Sequence, residues 1–134
     1  MTGPTEVNKT ALVAEDDPIF RKLVVRGLIR FGYTVIEAEN GRIAMDLFDK
    51  TKSQITLVVS DIRMPDADGV ALLAHVRLNS NIPFIVMTGY SEVVDKSDIF
   101  ALGATDLLSK PFNFDKLIES VDRCLKKNAD QLSA

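Results

Sequence analysis

Cysteine and histidine occur once each in this 134-residue chain, and no stretch approaches the roughly 20 apolar residues that a membrane-spanning helix needs. The lone Cys124 rules out an internal disulfide. His75 has no second histidine or further cysteine with which to share a metal, so it reads as a surface helix residue. Positive charge is not in excess: the formal net charge is -3, so no overall field draws in nucleic acid or an anionic membrane surface. The polar start, residues 1–10, lacks the apolar run of a secretory signal, and the compartment expected is the cytoplasm. No glycine-rich loop follows the first apolar run, which argues against a nucleotide-binding domain.

The composition, 46% hydrophobic and 26% charged, is that of a globular chain able to bury a core. Residues 11–15 (ALVAE) form a short apolar run that stops at Asp16, Asp17 and Pro18. Pro18 suits a first helical position and Asp17 the cap before it. From there Ile19, Phe20, Leu23, Val24, Leu28 and Phe31 recur at helical spacing as far as Gly32. A strand over residues 34–38, a turn at Asn40-Gly41 and a second helix with Ile43, Ala44, Leu47 and Phe48 on one face continue the alternation. Residues 55–60 (ITLVVS) are continuously apolar in the middle, as befits a strand covered on both faces, and run straight into Asp61. A third helix around residues 70–78, a strand over 83–87, a helix over 92–102 and a strand over 105–109 follow. The last helix carries Phe114, Leu117, Ile118, Val121, Cys124 and Leu125 on one stripe, and beyond Lys127 the chain is expected to fray.

Five strands, each followed by a helix, predict an α/β fold: a doubly wound, five-stranded parallel sheet with five helices. One domain is expected over 1–134, with its core at about 10–127 and tails at 1–9 and 128–134. In such sheets the site lies outside the carboxyl ends of the strands. Those ends carry Asp16 and Asp17, Asp61, Thr88 and Gly89, and Lys110. Carboxylates within about 4–6 Å repel by roughly 3–4 kcal/mol per pair at an effective dielectric near 20, so the cluster calls for a cation. Hard oxygen ligands select Mg²⁺ or Mn²⁺, which readily accepts phosphate oxygens; Lys110 and the Thr88 hydroxyl suit the remaining ones. An ionised carboxylate nucleophile needs no separate base, and the arrangement is one for phosphoryl transfer.

The motifs Glu15-Asp16-Asp17, Asp61-Ile-Arg-Met-Pro65-Asp-Ala-Asp-Gly69, Thr88-Gly89 and Gly103-Ala-Thr-Asp106-Leu-Leu-Ser-Lys110-Pro111-Phe112, in this order, closely resemble the receiver domains of bacterial two-component systems. The resemblance covers about residues 10–127. It implies a flavodoxin-like strand order 2-1-3-4-5, with Asp61 accepting phosphate from a histidine kinase or histidine phosphotransfer protein. It further implies that Asp16 and Asp17 hold Mg²⁺ with Asp61 and the backbone carbonyl of Arg63, that Thr88 turns toward the phosphate, and that Lys110 pairs with it. The Lys110-Pro111 bond is usually cis in the family. The expected output surface is formed by the fourth helix, the fifth strand and the fifth helix, and it acts on an effector that the sequence does not identify. Neither nucleic acid nor membrane is expected as a partner of this domain. One position departs from the pattern: Leu107 stands where the family commonly has Tyr or Phe, which puts the usual ring-rotation switch in doubt. Arg63 and Tyr90 occupy positions that, in the family, influence how fast the phosphate is lost.

Asp17 alone reads equally well as a helix cap, and Asp61 alone as a turn former. Lys22, Arg26 and Arg30 make a basic stripe on the first helix, either a solvated face or a contact for an acidic donor surface. Cys124 reads as a core residue. Two competing functions stand beside the switch. An Mg²⁺-dependent aspartyl-nucleophile phosphatase would place an Asp-x-Asp pair after the first strand and needs room for a cap. A degenerate receiver would bind partners without phosphate, against which the intact set of charged residues argues.

Overall fold

The structure, a computed structural model, describes residues 9–51, 53–64, 66–89 and 95–133, the last six as backbone alone. The chain alternates strictly: β1 Thr10–Ala14, α1 Pro18–Arg30, β2 Thr34–Ala38, α2 Gly41–Thr51, β3 Leu57–Asp61, α3 Gly69–Arg77, β4 Phe84–Thr88, α4 Lys96–Ala101, β5 Asp106–Ser109 and α5 Phe114–Ser133. The strands form one parallel sheet in the order β2-β1-β3-β4-β5. This is the doubly wound, flavodoxin-like sheet that the sequence predicts.

The pleat sorts the core into two halves. Leu12, Ala14, Val58, Phe84 and Val86 face a cluster with Ala44 and Phe48 of α2, Leu72, Leu73 and Val76 of α3, and Ile99 of α4. Their strand neighbours Ala11, Val13, Leu57, Val59, Ile85 and Met87 face Val24, Val25 and Leu28 of α1 and Leu117, Val121 and Cys124 of α5. Every residue of β1, β3 and β4 is buried. That is why these strands read as unbroken apolar runs and not as alternating ones.

Several boundaries move from the sequence expectation. The strand expected over 55–60 spans Leu57–Asp61, because Gln54 and Ile55 still donate their amides to the Thr51 carbonyl that ends α2. Asp61 is thereby the last rung of β3, opposite Met87. Pro83 has no amide to give, so β4 starts at Phe84, although the Pro83 carbonyl accepts from Val58. Thr105 stays outside β5 and uses its hydroxyl to accept from the Phe84 amide. Where the sequence predicts a fourth helix over 92–102, α4 begins at Lys96 behind an Asp95 cap, and residues 90–94 lie outside the described ones. Instead of fraying after Lys127, α5 continues to Ser133, since no glycine or proline interrupts residues 114–133.

Two tight approaches shape the carboxyl edge. A Cβ on Gly69 would lie 2.2 Å from the Asp61 carbonyl oxygen, and the Gly69 amide donates to Ile62 O at 2.9 Å. The loop leaving β3 thus folds back onto the strand that carries Asp61. Gly69→Ala is expected to cost about 1–3 kcal/mol, because the obstruction is backbone and cannot rotate away; urea melts of the two proteins measure it. At the opposite edge, burial pushes the Asp106 carboxyl up, but hydrogen bonds from buried Ser120 and from Arg123 (2.8 Å) outweigh it, and the group titrates below its ordinary range. A depressed carboxyl stabilises the fold above its unfolded pKa of about 3.9 and ceases to do so as pH falls through its lower folded value. Asp106→Asn should therefore cost about 1–2 kcal/mol at neutral pH, most of it from the Ser120 bond since Arg123 is exposed. The difference from the unsubstituted chain should shrink as pH drops below about 4, as melts across pH would show.

Candidate functional site

Consecutive strands of a parallel sheet all point their carboxyl ends the same way, so the residues that end β1, β3, β4 and β5 meet at one edge. Glu15 follows β1 and is fully buried; its amide still donates to Ala38 O of β2 at 3.0 Å. Asp61 closes β3 and Thr88 closes β4, both buried. Lys110 follows β5 and its amide donates to Thr88 O at 2.8 Å, which seats the lysine beside the end of β4. The Lys110-Pro111 bond is cis, in agreement with the resemblance.

The side chains converge. Lys110 Nζ donates to Glu15 Oε1 at 2.6 Å and lies 3.4 Å from Asp61 Oδ1. It stands 4.5 Å from the centre of the Phe20 ring, which itself packs edge-on against Phe112. Asp61 Oδ1 also accepts from the Ile62 amide at 3.0 Å. Burial pushes the Glu15 carboxyl up to about 7, helped by the charge of Asp61 and resisted by the bond from Lys110. Burial pulls the Lys110 ammonium down, but the bond to Glu15 and the charge of Asp61 more than offset it, and its pKa ends above the ordinary value. The lysine therefore stays charged between the two carboxylates.

Carboxylate oxygens of Glu15, Asp16 and Asp61 lie within 4.8 Å of one another, with Asp16 exposed and the other two buried. At that spacing each ionised pair would repel by roughly 3–4 kcal/mol at an effective dielectric near 20, which fits the raised titration of Glu15, and a cation in the cluster would relieve the repulsion. An all-oxygen donor set with one exposed member fits a hard divalent cation that keeps some of its water, as Mg²⁺ or Mn²⁺ does.

Asp17 has a local partner in the structure. It is expected as a metal ligand beside Asp16, but it is not in the trio: its Oδ1 accepts the Ile19 amide at 3.0 Å and caps α1. Glu15, a member of the motif to which the resemblance assigns no role, stands in the trio with Asp16 and Asp61 instead. The Asp17-Pro18 pair contains the signal, because a side chain spent on capping the helix faces α1 and not the strand ends. Arg63, two residues beyond Asp61, is exposed, and Tyr90 lies outside the described residues.

The remaining expectations fall into place around this edge. Leu107 is partly buried against the α2–α4 side of the core, so an aliphatic side chain fills the position where the family commonly has a ring. His75 pairs with Asp49 at 2.7 Å and meets the Phe48 ring edge-on, a surface role. Cys124 is buried and its thiol is pushed up to about 12 by burial, which leaves it unreactive. The basic stripe on α1 is exposed; Lys22 donates to Glu37 at 2.9 Å and Arg30 covers the Phe114 ring at 4.5 Å.

Comparison with known proteins agrees with this geometry. The family profile of the response regulator receiver domain matches residues 11–122. The chain is 36% identical over 120 residues to a probable transcriptional regulator ycf27 of Galdieria sulphuraria, covering 90% of this chain and 46% of that protein. It is 35% identical over 119 residues to the sensor kinase CckA of Brucella abortus, covering 88% of this chain and 13% of that one. The chain thus spans less than half the length of these relatives. Among solved structures, the receiver domain of the Francisella response regulator 1452 superposes with a TM-score of 0.80 at 30% identity, covering 90% of this chain and 99% of that one. With the profile matching 11–122 of the 134 residues, the chain belongs to the response regulator receiver domain family.

Proposed function

We propose that this receiver domain is a phosphorylatable switch in which Asp61 takes a phosphoryl group from the phosphohistidine of a histidine kinase or phosphotransfer protein, in the cytoplasm. The observation that carries the reading is the convergence of Glu15, Asp16 and Asp61 within 4.8 Å beside Lys110. A carboxylate is a costly thing to bury next to two others unless a cation and a reaction account for it.

Asp16, Asp61 and the backbone carbonyl of Arg63 are the groups we assign to Mg²⁺ (or Mn²⁺), with Glu15 beside them. Such an ion would draw charge off the phosphoryl oxygens and off the carboxylates alike. A carboxylate oxygen of Asp61 attacks phosphorus, the bond from phosphorus to the donor's imidazole nitrogen breaks, and the nitrogen keeps the electron pair. No general base is needed, since the nucleophile carries no proton. Lys110, already 3.4 Å from Asp61 Oδ1, and the Thr88 hydroxyl would hold the phosphoryl oxygens after transfer. Thr88 and Lys110 are tied to each other through the main chain, so a movement at the phosphate reaches β5 directly. From there it would pass to the face built by α4, β5 and α5 and change which effector binds. With Leu107 packed against the core, we read the change as a shift of helix and strand and not as the rotation of a ring. A near-complete flip of such a surface requires about 5.5 kcal/mol of differential stabilisation.

Incubation with Mg²⁺ and acetyl phosphate, followed by intact-mass measurement, tests this. The wild-type chain should gain one phosphoryl group and Asp61→Asn none; equal labelling of both would reject Asp61, and an unlabelled wild type would favour a phosphate-independent binding module. Asp16→Asn should slow labelling by roughly tenfold or more, as expected when a metal ligand is weakened. Asp17→Ala should leave labelling unchanged and cost about 1 kcal/mol of stability through the lost cap. The reverse pattern would restore Asp17 as the ligand.

A further inference from the structure

Asp16 is the loosely held member of the carboxylate trio. Glu15 and Asp61 are buried and tied to Lys110, whereas Asp16 is exposed and makes no ion pair among the described residues. Its position is therefore set by the main chain on either side. After it, the Asp17 amide donates to Glu15 Oε2 at 3.2 Å. Before it stands the peptide that joins Glu15 to Asp16, and the Glu15 carbonyl oxygen of that peptide accepts from Arg21 Nη1 at 2.7 Å.

Arg21 is itself fixed. Its Nε donates to Glu37 Oε1 of β2 at 3.0 Å, and its side chain is only 15% exposed. Glu37 is held a second time by Lys22 at 2.9 Å. One planar guanidinium thus spans from the edge strand to the peptide plane on which Asp16 hangs, a two-pronged geometry that a lysine ammonium cannot reproduce. We propose that Arg21 is a positioning residue for the metal site: it locks the Glu15–Asp16 peptide so that Asp16 is presented toward Asp61. This rests on the reading of the trio as an Mg²⁺ site.

The alternative is that Arg21 merely staples α1 to β2 through Glu37. Charge alone makes the opposite forecast, because removing a cation near an Mg²⁺ site should tighten binding. The sign of the change therefore separates positioning from electrostatics. Isothermal titration of the unphosphorylated chain with MgCl₂ reads it, with circular dichroism confirming that each variant is folded.

Arg21→Met should weaken Mg²⁺ binding by roughly tenfold, the usual cost of losing a group that orients a ligand. Lys22→Met, which also takes a cation from Glu37 but touches neither Glu15 nor Asp16, should leave the affinity unchanged. Arg21→Lys should fall between wild type and Arg21→Met. If Arg21→Met fails to fold, Arg21→Lys carries the test, and parity with wild type overturns the proposal. Unchanged or tighter binding by a folded Arg21→Met overturns it as well. A wild-type chain that takes up no Mg²⁺ would instead remove the metal reading itself.

Discussion

The Lys110 ammonium, 2.6 Å from Glu15 and 3.4 Å from Asp61, is the contact around which the carboxyl edge of the sheet is arranged. It joins the end of β5 to the ends of β1 and β3 through residues 95 and 49 positions apart in the chain. Charges this far out of water are held at a cost in desolvation, and the pair is stable only because each member has further partners. For Lys110 these are the Thr88 carbonyl at its amide and the Phe20 ring near its ammonium; for Glu15 they are the Asp17 amide and the Ala38 carbonyl. Asp16 adds a third carboxylate to this pair, and the all-oxygen cluster that results could hold a divalent cation.

The rest of the fold serves to position this edge. Three fully buried strands carry these residues at their ends, and Gly69 allows the loop leaving β3 to close within contact of the Asp61 carbonyl. The far side of β5 is secured separately, by Asp106 with Ser120 and Arg123 of α5. In the switch proposed above, a shift at Thr88 and Lys110 would move β5 against a helix to which it is bonded by charge-assisted contacts, and so would carry a local event at one carboxylate to a distant face.

Much of this architecture is legible in the order of the amino acids. Unbroken apolar runs spell parallel strands covered on both faces, and turn residues after each run place Asp61, Thr88 and Lys110 at one edge. The resemblance to receiver domains names the roles, and the cis bond before Pro111 agrees with it. What the sequence leaves open lies within three consecutive residues. Periodicity cannot say which of Glu15, Asp16 and Asp17 turns toward the sheet edge, because that depends on where the strand yields to the helix; the cap at Asp17 decides it. Arg21 is illegible for a related reason. A basic residue in the first turns of a helix gives no hint that its partners are a backbone carbonyl and a glutamate on the neighbouring strand.

Anomalous diffraction from crystals of the chain soaked in MnCl₂ tests the central claim most directly. The account predicts one strong peak at the carboxyl edge, bonded to oxygens of Asp16 and Asp61 and lost in Asp61→Asn. A peak seated on Asp17 away from Asp61, or none at this edge in ion-saturated crystals, would contradict it.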